Sequence, residues 1–161
     1  KLLPENLDFL YFGGGYPENF AKELSENYSM KKSIKDVSKK IGIYAECGGF
    51  IYLTKGLKQI DGTYFDFVGL LDIKTEMKNK LNIKRFGYVK IETVEGIQLR
   101  AHEFHYSDIY DINEKNTQFK ITKANGSSWE CGYSRDKLLA GYPHINFYSN
   151  IDFFKKIFML N

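Results

Sequence analysis

The chain has 161 residues, 43% of them hydrophobic and 27% charged. That balance excludes wholesale disorder, and a chain this long buries about 70% of its unfolded surface. Lys and Arg number 23 against 20 Asp and Glu, a net charge of +3, too small and scattered to point to a nucleic-acid partner. No run approaches the roughly 18 apolar residues of a membrane span and no charged-then-apolar leader opens the sequence, so the expectation is a cytoplasmic protein with no membrane partner.

The first element is an apolar and aromatic run, residues 7–12, that stops at Gly13-Gly14-Gly15, as a buried strand ending in a tight loop does. Pro17 suits a first helical position, and Phe20, Leu24 and Tyr28 recur at spacing four, which predicts a helix over 17–29. A Lys-rich second helix is predicted over 31–40, with Ile34, Val37 and Ile41 turned inward. Residues 41–45 read as a second buried strand that runs into Glu46-Cys47-Gly48-Gly49 and an apolar helical stretch, Phe50 to Leu53. Strand, helices, strand, turn and helix is the rhythm of a parallel α/β sheet.

After Gly56 the texture turns to alternating runs, 63–71, 86–94, 97–106, 117–123 and 129–133, with turn signals at Asp61-Gly62, Glu95-Gly96 and Asn125-Gly126. Residues 74–84, rich in Lys and Asn, read as a mobile loop, and a helix from Ile151 to Leu160 closes the chain. The chain opens on Lys1 rather than Met; the expectation is a segment of a longer polypeptide.

Chemistry concentrates at Cys47. A side chain held at a sharp strand-to-helix turn, with small neighbours that let the backbone bend, is a nucleophile elbow. The helix that starts at Gly48 aims its unpaired N–H groups and positive end at the sulfur. Cys131 has no such setting and reads as a small buried hydrophobe. A thiol nucleophile needs a base, and the late His144 supplies one; Asn146, two residues on along an extended segment, shares its face and could fix its tautomer. Cys, His and Asn then form a papain-like set by role.

His102 and His105 lack the spacing or companion cysteines of a metal site, so no metal is expected. The glycine run 13–15 lacks the Gly-Lys-Ser/Thr of a phosphate loop and the spaced glycines of a dinucleotide fingerprint. It reads either as a plain tight turn or as half of an oxyanion hole, through Gly14 or Gly15, whose other half is the N–H of Gly48.

Four segments in order, Phe12-Gly13-Gly14-Gly15-Tyr16-Pro17-Glu18, Ala45-Glu46-Cys47-Gly48-Gly49-Phe50-Ile51-Tyr52-Leu53, His102-Glu103-Phe104-His105-Tyr106-Ser107 and Tyr142-Pro143-His144, resemble the CobB/CobQ-type, class I-like glutamine amidotransferase domain of cobyrinic acid a,c-diamide synthases. The resemblance runs from about Leu7 to about Ile157. It implies an α/β class I glutamine amidotransferase-like fold with a mostly parallel central sheet flanked by helices, residues 1–161 forming one domain at the C-terminal end of a two-domain synthetase. It also implies hydrolysis of L-glutamine through a cysteine thioester at Cys47, with His144 as base. The ammonia would serve ATP-dependent amidation of the a and c carboxylates of cobyrinate in cobalamin biosynthesis, or of nickel-sirohydrochlorin or another tetrapyrrole. ATP and Mg2+ would belong to the N-terminal synthetase domain, with no cofactor in this one.

One departure stands out. Typical class I glutaminases carry His-x-Glu, whereas this chain has His144-Ile145-Asn146, and a neutral amide stabilises an imidazolium less than a carboxylate does. Either the glutaminase is modest or another acid such as Glu103 is recruited. His102, Glu103 and His105 are also placed at the junction with the synthetase domain, because polar residues alternate there with aromatics. Two rival readings remain, a cysteine hydrolase acting without a synthetase and a glutaminase-like regulatory domain that has lost turnover.

Overall fold

A computed structural model describes residues 2–159. In chain order the elements are β1 (Phe9–Phe12), a 3-10 turn (Pro17–Phe20), α1 (Ala21–Glu26), α2 (Tyr28–Val37), β2 (Gly42–Glu46), α3 (Gly48–Leu53), β3 (Gly56–Lys58), β4 (Tyr64–Asp66), β5 (Ile73–Met77) and β6 (Gly87–Thr93). Then come β7 (Gln98–Glu103), β8 (Ser107–Ile112), β9 (Thr117–Thr122), β10 (Ser128–Arg135), β11 (Leu138–Gly141), β12 (His144–Ile145), a second 3-10 turn (Phe147–Ser149) and α4 (Ile151–Phe158).

Eight strands form one sheet in the order β1-β2-β11-β10-β9-β6-β7-β12, and β4-β3-β5-β8 form a second. In the larger sheet only β1, β2 and β11 run parallel. The remaining neighbours are antiparallel, so the sheet is mixed where a mostly parallel one was expected. The reason is local: Gly96 and Gly126, at φ +80° and +84°, close the hairpins β6–β7 and β9–β10 at the Glu95-Gly96 and Asn125-Gly126 signals.

The three parallel strands place the site. β1, β2 and β11 end at one edge, and each is followed there by a segment of interest: the Gly13–Gly15 run, Cys47, and the link to His144. All six residues of α3 are buried, and the helix packs on β1, β2 and β3. Phe50 from α3 stacks on Tyr133 at 5.7 Å and meets Tyr142 edge-on at 5.0 Å, which welds α3 to the antiparallel half of the sheet.

Several predicted elements differ. The helix expected over 17–29 breaks at Asn27, whose carboxamide oxygen accepts from the Met30 N–H and caps α2. Phe20 and Tyr28, taken as part of its apolar stripe, are exposed, whereas Ile34 of α2 is fully buried. Of the run 63–71 only β4 is strand, and the loop expected over 74–84 begins with β5. The strand predicted to 106 ends at Glu103, and β8 follows where none was expected. The last helix stops at Phe158; Leu160 lies outside the described residues.

Candidate active site

Cys47 sits at φ +46° and ψ −109°, a region that costs a non-glycine residue about 1–3 kcal/mol and persists only where the surroundings enforce it. The enforcement is visible on both sides. The Cys47 N–H donates to the Gly141 carbonyl at the end of β11 (2.9 Å), and the Gly49 N–H donates to the Gly13 carbonyl beyond β1 (3.1 Å). Side chains are excluded there: a Cβ on Gly48 would lie 2.3 Å from the Gly15 oxygen, and one on Gly49 would lie 2.4 Å from the Phe12 oxygen. This is the elbow that the two glycines predicted.

The His144 ring lines the same cavity as the sulfur. The neighbouring Cys47 sulfur, followed by the Glu46 carboxylate, raises the imidazole to about 10 against the opposing effect of burial. The thiol donates to the Phe104 carbonyl at 3.6 Å. Gly14 lies under the ring, where an added Cβ would come within 2.4 Å of the His144 Cε1. His102, paired with His144 across β7 and β12, stacks on it with centroids 4.7 Å apart and planes 12° off parallel. Burial and the neighbouring His144 lower the pKa of His102, more than Glu46 raises it. His102 therefore stays neutral at neutral pH and adds no competing charge.

Gly14, Gly15, Cys47, His102, His105 and His144 line one cavity of about 620 Å³, with Glu103 also in its wall. Gly48 follows Cys47 at the start of α3, beside the Gly15 backbone. Asn146 is the exception. Its carboxamide oxygen accepts from the Tyr148 N–H (3.1 Å) and caps the 147–149 turn, so it does not orient His144. β12 is only two residues long, and the two-residue repeat that would align Asn146 with the ring ends with it.

Glu103 is not the substitute acid either. Its oxygens accept from the Trp129 indole N–H (3.2 Å) and meet the His105 Nε2 (3.2 Å), and His105 Nδ1 donates to the Ser107 carbonyl at 2.7 Å. His105 also stacks on Tyr142 at 3.8 Å. Glu103 and His105 are 1% and 5% exposed, so they belong to the floor of the cavity and cannot form the outer face of a domain junction.

The acid nearest His144 is Glu46, which the sequence reading passed over. Its Oε2 lies 3.7 Å from His144 Nδ1. A signal was present: all five residues of β2 are buried, and a carboxylate in such a strand must have partners. Among the described residues no group of three or more His, Cys, Asp or Glu is arranged to hold a metal ion, and no helix is long and apolar enough to cross a membrane.

A sequence profile of the CobB/CobQ-like glutamine amidotransferase domain matches residues 1–154. The chain belongs to that family. As a CobB/CobQ-like glutamine amidotransferase domain it is 45% identical, over 153 residues and 94% of its length, to a cobyrinate a,c-diamide synthase of Fusobacterium nucleatum. It is 41% identical, over 155 residues and 91% of its length, to a protein of the same name from Caldanaerobacter subterraneus subsp. tengcongensis. In each case the match covers 34% of the relative, so this domain spans about a third of their length. A crystal structure of a glutamine amidotransferase superposes with a TM-score of 0.71 at 15% identity, covering 97% of this chain and 80% of that one, a likeness that speaks to the fold alone.

Proposed function

We propose that the domain releases ammonia from L-glutamine through a thioester at Cys47. The observation that carries the reading is the Cys47 elbow opening on the cavity that the His144 imidazole also lines. His144 takes the thiol proton, and the sulfur attacks the side-chain amide carbon of glutamine. The oxyanion that forms is met by backbone N–H groups of Gly48 and of Gly14 or Gly15; losing one such donor costs about 10²–10³-fold in rate. His144 returns its proton to the amide nitrogen, the C–N bond breaks and ammonia leaves. Water then gives a proton to His144 and attacks the thioester, so that glutamate departs and the sulfur recovers its proton.

The relatives' names suggest where the ammonia goes: an activated carboxylate of cobyrinate or a related tetrapyrrole, bound by a synthetase portion outside this chain. ATP and Mg2+ would act there. The glycine run 13–15 does not fit a triphosphate, because it packs against Gly48, Gly49 and the His144 ring and lacks the Lys and Ser/Thr that follow in a phosphate loop.

The complete protein, given L-glutamine, should produce ammonia and glutamate in equal amounts, and Cys47→Ala or Cys47→Ser should produce neither while folding normally. Undiminished release by either variant ends the proposal. Peptide and ester substrates, offered in parallel, should be left intact; their cleavage in preference to glutamine would favour the free-standing hydrolase.

A further inference from the structure

Glu46 is 4% exposed at the end of β2, and both its oxygens are engaged. Oε1 accepts from the Tyr44 hydroxyl (2.8 Å) and from the Ile145 N–H (2.9 Å). Oε2 accepts from the Tyr11 hydroxyl (2.9 Å) and lies 3.7 Å from His144 Nδ1. Burial pushes the carboxyl up, but the contacts from His144, the Ile145 N–H, Tyr44 and Tyr11 outweigh it and hold the group below its usual range. It is therefore ionised at neutral pH, a buried charge whose one charged counterpart among these partners is the His144 ring.

Two features make this arrangement more than a satisfied core group. The Ile145 N–H fixes the backbone next to His144, so one carboxylate sets both the position of the ring and its charge. With Nδ1 turned to Glu46, Nε2 is left to exchange a proton with Cys47. At 3.7 Å the contact acts through charge rather than as a hydrogen bond, and such contacts tighten when substrate closes a site.

We propose that Glu46, the residue immediately before the nucleophile, is the positioning residue that orients His144 and stabilises its imidazolium, in place of an acid two residues after the histidine. The proposal rests on the glutaminase reading above. The titratable groups facing the ring are Glu46 and Cys47 from the end of β2 and its turn, and His102 from β7; the Gly13–Gly15 loop adds none. Tyr11 and Tyr44 act on the ring through Glu46.

The test measures two quantities against pH on the complete protein: ammonia release from L-glutamine, and the rate of Cys47 alkylation by iodoacetamide. Glu46→Gln should lower kcat about 10²-fold or more, by analogy with amide replacement of a histidine-orienting carboxylate, with KM little changed. Its basic limb should move to lower pH by about one unit or more, since a lost opposite charge favours the neutral ring. Tyr11→Phe should move that limb the other way, because Oε2 loses a competing donor and holds the imidazolium more strongly. A Glu46→Gln protein with unmoved limb and wild-type kcat overturns the proposal. Should Glu46→Gln fail to fold, Tyr11→Phe decides: an unmoved limb overturns the assignment. If the wild-type protein releases no ammonia, the glutaminase reading falls, and the alkylation profiles of the same variants still decide the role of Glu46.

Discussion

The His102 and His144 rings lie nearly parallel, 4.7 Å between centroids, each projecting from its strand at a directly paired position of β7 and β12. β12 is two residues long, too short to hold a side chain rigidly by itself, so the stack is one of the contacts that limit rotation of the His144 ring. Aromatic pairs of this kind contribute about 0.5–1.5 kcal/mol beyond their buried area. His102→Ala should therefore lower kcat about three- to tenfold for ammonia release, while His102→Phe, which keeps a flat ring but no titratable nitrogen, should stay near wild type. A loss in His102→Phe as deep as in His102→Ala would instead make His102 a proton carrier.

Gly14 and Gly13 separate the two ways the glycine run could matter. An added Cβ at Gly14 meets the His144 Cε1 at 2.4 Å, whereas at Gly13 it meets nothing within 4 Å. Neither substitution removes a backbone N–H. Gly14→Ala should displace the imidazole and cost about 10²-fold in kcat, the usual effect of an ångström-scale misplacement, and Gly13→Ala should be nearly silent. Steady-state ammonia release from the two variants checks this, and equal activities would mean the ring has room to yield.

The sequence made the elbow legible because everything it needs is local: an apolar strand, a cysteine and two glycines whose Cβ positions the neighbouring backbone occupies. His144 was also within reach, as a late histidine following an apolar run. What escaped were contacts set by register between distant strands. Asn146 was credited with a role that an extended segment would have given it, and the chain turns instead into the 147–149 cap. Glu46 was read only as part of a motif, because nothing near it in sequence shows that Tyr11 lies across from Tyr44 on β1 or that Ile145 donates to it. β8 was missed for a different reason: its Ser-Asp-Ile-Tyr-Asp-Ile pattern is largely half-buried or exposed, so its polar residues masked the strand period.

The ionisation of His144 ties stability to pH. Its imidazole is raised to about 10 in the folded protein from about 6.5 in an unfolded chain, so the folded state binds the proton more tightly. The resulting stabilisation is fully present below about pH 6.5 and disappears as pH rises through about 10. Urea unfolding of wild type and His144→Gln between pH 6 and 11 isolates the contribution as a difference, free of the other groups that titrate near 10. The gap should narrow as pH rises; a constant gap would show that the ring is not protonated in the native protein.

Cys47 and Cys131 should differ sharply towards a glutamine-like electrophile. Both are buried, but Cys47 lines the cavity, while burial, with the nearby Glu103, pushes Cys131 up to about 12. A thiol so disfavoured as an anion is inert. Intact-mass analysis of the native protein should find labelling at Cys47 and none at Cys131, with the label lost in Cys47→Ala. Modification at Cys131 in folded protein would mean that the core around β10 opens.

Glu103 and His105 carry the remaining stake, and it lies in folding. The His105 ring faces oxygen at both nitrogens, the Ser107 carbonyl at 2.7 Å and Glu103 Oε2 at 3.2 Å, so Nδ1 must carry a hydrogen and one further proton is shared with Glu103. Glu103→Ala strands that ring and the Trp129 N–H without an acceptor in the interior, and breaking a buried pair from one side costs about 3–5 kcal/mol. Trp129→Phe removes only one hydrogen bond to Glu103, worth about 1 kcal/mol or somewhat more for a charged acceptor, together with some packing. Urea unfolding followed by circular dichroism should rank Glu103→Ala well below Trp129→Phe, and both below wild type. A Glu103→Ala protein as stable as wild type would show that water enters the cavity floor and satisfies His105 in place of the carboxylate.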